Sequence, residues 1–108
     1  MSEAPAAHAD TVKGWQGHGL DDVSGSGVGR IEGAFAERAG GSPWLLARMG
    51  RFGHYTLVPA RDAVEGAGRV WVPYTRDHIR RAPRIEPRHG PDATTEQALR
   101  AHYGLGPN

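Results

Sequence analysis

The sequence contains no cysteine. That absence removes disulfides, thiolate zinc sites and cysteine nucleophiles, and with them the disulfide-stapled secreted domain. Nor is there any run approaching the ~20 consecutive apolar residues of a membrane helix. The longest strongly apolar run is Trp44-Leu45-Leu46-Ala47. Met1 to Lys13 has no basic start leading into an apolar stretch. No secretory signal is expected there, and the expected location is the cytoplasm. Net charge is scarce as well, at +1, so the chain as a whole is no polyanion binder. Its distribution is uneven: residues 1–40 hold three Lys/Arg and six Asp/Glu, against ten and six in residues 41–108. Such an asymmetry can orient one molecule against another. Large apolar side chains are few, and each contributes only ~1.5–3 kcal/mol on burial. A strand-rich unit of this size buries only about 60% of its unfolded surface. Covering an edge or patch with a second copy is therefore a physical expectation.

What the sequence does have is β-pattern. His54-Tyr-Thr-Leu-Val-Pro59 and Arg69-Val-Trp-Val-Pro-Tyr-Thr75 both alternate apolar and polar residues and both carry a late proline. Period-2 alternation reads as a strand with one buried face. Proline cannot donate to a ladder, so it marks a strand end or edge. Asp62 to Val64 and a Gly66/Gly68 turn lie between them, which suggests a small antiparallel structure. Upstream, Leu20 to Val23 reads as a first strand, Ser24 to Gly27 as a turn, and Val28 to Glu37 as the next strand. Ile31 and Ala34 are out of step with period 2, so a bulge is expected at Gly33. Trp44 to Met49 is the most apolar strand and is expected at the centre.

Residues 1–19 read as a flexible arm, with Trp15 able to dock on the domain. Residues 20–85 form the domain, residues 86–93 a linker rich in proline and glycine, and residues 94–105 a separate C-terminal helix. Thr75 is expected to cap a short helix over Arg76 to Arg81, which Pro83 stops. Thr94 and Gln97 have capping-box spacing, Leu99 and Tyr103 share a helix face, and Gly104 is placed to end the helix.

Catalytic and metal-binding patterns are weak. The glycines from Gly25 to Gly29 resemble a phosphate loop but lead into a strand rather than a helix. Six histidines are scattered without the spacing of a metal pair. Asp21 and Asp22 are adjacent and would face opposite ways on a strand. No nucleophile–base–orienter set is seen, so the expectation is no enzyme, no cofactor and no metal. The strongest polar signal is the cluster of Arg76, Arg80, Arg81, Arg84 and Arg88. Arginine grips phosphate bidentately, so the cluster is a candidate anion or RNA contact. The alternative is a solvated face that balances the acidic N-terminal third. No arginine–aromatic alternation of an RNA-binding sheet accompanies it.

The ordered set Val28-Gly-Arg-Ile-Glu32, Ser42-Pro-Trp-Leu-Leu46, His54 to Pro59, Asp62-Ala-Val64, Val70 to Thr75 and Ala82-Pro83 resembles the PRC-barrel family. The Tyr103-Gly104-Leu105 ending is similar to the tail of its stand-alone bacterial members. The resemblance implies an all-β fold: a small, strongly bent antiparallel β-barrel with a short helix after its last strand and a separate C-terminal helix. The family includes the cytoplasmic domain of the photosynthetic reaction-centre H subunit and the C-terminal domain of a ribosome-maturation factor. Its known members bind other proteins, and no catalytic residues are established for the fold, so none carries over. This chain lacks the membrane helix of the first and the N-terminal domain of the second, and fold does not fix function. The expected function is a protein-interaction and assembly module, self-associating as a homodimer or larger. A ribosome- or RNA-associated factor and a soluble relative of the H-subunit domain are the alternatives. Candidate contact residues are Phe52, Tyr55, Trp71 and Tyr74, aromatics of the kind that dominate interface energetics. Trp44 is expected to fill the core instead.

Overall fold

Among the described residues the local patterns give six strands and, after the last of them, two helices. In chain order these are β1 (Gly19–Asp21), β2 (Gly27–Phe35), β3 (Trp44–Met49), β4 (His54–Pro59), β5 (Val64–Gly66), β6 (Arg69–Trp71), α1 (Arg76–Arg80) and α2 (Ala93–His102). The computed structural model describes residues 12–37, 41–50 and 53–105. The strands make one mixed sheet in the order β4-β3-β2-β1-β6-β5.

Two features differ from the expected antiparallel barrel. Strands β1 and β6 run parallel, with Gly19, Leu20 and Asp21 opposite Arg69, Val70 and Trp71. Among the described residues no ladder joins β4 to β5, so the sheet is open. The two proline-ended segments consequently do not pair with each other. Strand β4 is an edge, while β6 lies between β1 and β5.

The parallel pair is held by a charge clamp. Arg69 donates to both carboxylate oxygens of Asp21, at 2.6 and 2.5 Å. The guanidinium lies where Gly19 has no side chain: a Cβ there would sit 2.8 Å from it. Chain length also forces curvature. The connection from β4 to β5 is only residues 60–63, which reach at most ~18 Å. The edges of a flat six-stranded sheet would lie ~24 Å apart, so this sheet curls strongly.

Strand β3 is buried on both faces and lies one place in from the edge rather than at the centre. The β2–β3 register slips between Ile31 and Gly33, leaving Glu32 as the extra residue. Ile31 thereby stays fully buried. The expected arm is part of the fold from Val12 onward. Val12 and Trp15 are buried, and the Gly17 and Ile31 N–H groups tie this segment to β2. The rest of the arm lies outside the described residues.

Thr75 caps α1, its hydroxyl accepting from the His78 N–H. Helix α2 starts a residue before the expected Thr94, because the Asp92 side chain takes the cap and accepts from the Thr95 N–H at 2.7 Å. Aspartate is at least as good a cap as threonine. The other end closes as a Schellman motif: Gly104 N–H bonds Ala101 C=O and Leu105 N–H bonds Arg100 C=O. Gly104 has the required positive φ of 70°. Leu99 and Tyr103 face the core. The Trp44 indole N–H donates to the buried Glu96 carboxylate at 2.9 Å, which fastens α2 to β3. No helix among the described residues is long and apolar enough to cross a membrane.

Candidate functional site

One end of the sheet brings arginines together with a histidine. Antiparallel pairing brings the start of β2, the end of β3 and the start of β4 together at that end. Helix α1 packs on β4. Between them is an open cleft of about 220 Å³ lined by Gly27, Val28, Met49, Gly50, His54, Arg76 and Arg80. Val28 and Met49, both buried, give it an apolar floor. Arg76 and Arg80 are four residues apart on α1 and therefore share a helix face.

Arg84 joins them from the segment after α1. That segment runs along the outer edge of β4, where Arg84 bridges to Thr56, the Ile85 N–H donates to the Tyr55 C=O, and the Thr56 hydroxyl donates to the Pro83 C=O. His54 feels the result. Burial lowers its pKa, and the Arg84 and Arg80 charges lower it further. Among the described residues no carboxylate forms an ion pair with the guanidinium group of Arg76, Arg80, Arg81, Arg84 or Arg88. The structure thus sets two of the five expected arginines, Arg76 and Arg80, in the cleft lining with His54, and leaves Arg84 outside the lining but near enough to act on that ring. Arg81 forms the C-cap of α1 and Arg88 lies in the following loop, and neither lines the cleft nor acts on His54.

The carboxylates beside the cleft are committed to the fold. Asp22 accepts from the Ser24 hydroxyl and N–H, the Ser26 N–H and the Arg76 N–H. The Ser24 hydroxyl and these backbone donors hold its pKa down to about 2. Asp21 is held low by the Arg69 guanidinium. Neither is placed as an acid or base for a substrate.

The candidate contact aromatics are dispersed. Tyr55 lies on β4 and Trp71 on β6, with three strands between them in the sheet order. Phe52 lies outside the described residues. Trp44 is in the core. Tyr74 packs internally, its ring 4.8 Å from that of Tyr103 and 6.2 Å from that of His78.

Two features had no clear mark in the sequence. His54 is drawn into the cleft only because β4 begins beside α1. His78 and His102 stack with ring centroids 4.1 Å apart and planes 12° from parallel. The Nε2 of each reaches the backbone carbonyl of the other, at 2.8 and 2.6 Å. Carbonyls only accept, so both rings donate through Nε2–H. This reciprocal pair locks α2 onto α1, and a separation of 24 positions hides it from any spacing rule.

No model of a known protein family matches the chain, and no curated protein matches it in sequence.

Proposed function

We propose that this chain is a non-catalytic protein-interaction and assembly module of the PRC-barrel type, acting in the cytoplasm and pairing with a second copy of itself. The ordered strand motifs and the strongly curled six-stranded sheet support the family reading. The observation that carries the assembly reading is the unequal finish of the two sheet edges. The β4 edge is covered by residues 83–85. The β5 edge has no main-chain partner among the described residues. Glu65 sits opposite Val70, next to the hairpin-closing Gly66–Arg69 pair, and so turns its N–H and C=O outward. Val64, 63% exposed, sits opposite Trp71 on one face. An unpaired edge beside an exposed apolar side chain is a template for another strand. Three residues of edge are too few alone for a stable interface, so Val64 and Trp71 supply the apolar contact.

Sedimentation equilibrium tests this. The native chain is expected to form a concentration-dependent dimer that Val64→Lys converts to monomer. A strict monomer at high concentration, or a dimer untouched by Val64→Lys, would remove the reading.

A further inference from the structure

We propose that the cleft between α1 and the His54 end of the sheet binds a compact dianion, a phosphate or a small phosphomonoester, through Arg76, Arg80 and Arg84. The proposal concerns a different surface from the β5 edge and stands apart from the assembly reading.

Three observations carry it. The first is unpaired side-chain charge: among the described residues no carboxylate forms an ion pair with the guanidinium groups of these arginines. The nearby carboxylate that could have served, Asp22, is occupied by Ser24, Ser26 and the Arg76 backbone. The exposed guanidinium groups of the three arginines are left to solvent or to a bound anion. The second is shape. The cleft has a buried apolar floor of Val28 and Met49, and Gly27 and Gly50 narrow none of it with side chains. At about 220 Å³ it is smaller than the roughly 300–1,000 Å³ of sites for drug-sized ligands. A phosphate with a short substituent is the fitting size. The third is convergence. Arg76 and Arg80, from one helix face, line the cleft together with His54; Arg84, on the strap along β4, lies outside the lining but close enough for its charge to act on His54. Guanidinium forks match phosphate oxygens bidentately. A nucleic-acid strand would instead need cations spaced along a track. Arg81 and Arg88, which could have extended one, neither line the cleft nor act on His54. His54 adds a ring N–H donor at the wall.

The test is a titration followed by the imidazole and arginine side-chain NMR signals at low ionic strength. Inorganic phosphate and glycerol phosphate are the two ligands, and a single-stranded oligonucleotide is run in parallel. Both phosphates are expected to saturate at one per chain and to shift His54. The double variant Arg80→Gln/Arg84→Gln is expected to bind at least about tenfold more weakly. Arg81→Gln/Arg88→Gln is expected to bind as the native chain does. The amide spectrum of each variant reports directly that it is folded. Three results would overturn the proposal. One is no saturation with inorganic phosphate. Another is equal weakening in both double variants, which means diffuse charge. The third is an oligonucleotide binding far more tightly, with a salt dependence of many phosphate contacts.

Discussion

The Tyr103 hydroxyl is buried with no hydrogen-bond partner among the described residues, and burial pushes its pKa up. Its ring is well used, 6.4 Å from that of Trp44 and 4.8 Å from that of Tyr74. Phenylalanine would keep those contacts and remove the unmet polar group. Tyr103→Phe is therefore expected to raise stability by about 1 kcal/mol, read as a shift in the urea midpoint at constant slope. A loss of stability would show that the hydroxyl has a partner after all. Asp22 is the opposite case, a side chain whose every bond is used. Its folded pKa of about 2 lies below the ordinary 3.8, so the protein gains stability from its charge above the ordinary value. That gain disappears as pH falls from 3.8 towards about 2. In Asp22→Asn one oxygen can still accept from Ser24 and Ser26. The amide NH₂ would then face the Arg76 N–H, donor against donor. The stability gap between the native chain and Asp22→Asn is expected to be widest at neutral pH and to close through that acid window. A gap of constant size from pH 7 to pH 2 would contradict the assignment.

Among the elements, the β5–β6 hairpin has one locally unfavourable residue. Gly66 and Arg69 are paired across it, and Ala67 and Gly68 have φ of 53° and 76°. Positive φ at both central positions is the type I′ turn, which suits Asn-Gly. Alanine in that conformation is strained, by ~1–2 kcal/mol. Ala67→Asn is expected to stabilise the protein by about 0.5–1 kcal/mol, measured by chemical denaturation. Turns, strands and helix ends of this kind were legible because their chemistry is local: Pro59 ends an edge strand, the bulge falls beside Gly33, and Gly104 ends α2. What the sequence hid depends on distant partners. The parallel β1–β6 pairing needs the space above Gly19 for Arg69, and no local pattern encodes that match. The shift of the α2 cap from Thr94 to Asp92 is a contest between two good cap residues, which spacing alone does not decide. The arginine cluster was visible as composition. Its division into two residues lining the cleft, Arg84 close by on the strap along β4, and two farther off follows from the turn of α1 and the path of that strap.

At the scale of the whole molecule, the curled sheet, the reciprocal His78–His102 pair and the Trp44–Glu96 bond tie the strands, α1 and α2 into one core. Unfolding of the core should then be a single transition, and any stabilisation from a second copy should appear in that transition. A partner that binds only the folded chain raises apparent stability by mass action. For a dimer that dissociates as it unfolds, a tenfold rise in concentration lifts the melting temperature by about 3–5 °C for a chain of this length. The native chain is expected to show that rise in scanning calorimetry. Val64→Lys should abolish it while leaving the transition cooperative, because Val64 is 63% exposed and contributes little to the core. The comparison separates the edge from the fold. Concentration dependence that survives Val64→Lys places the contact elsewhere on the surface. A native melting temperature independent of concentration means that the β5 edge stays bare and the small core is sufficient alone.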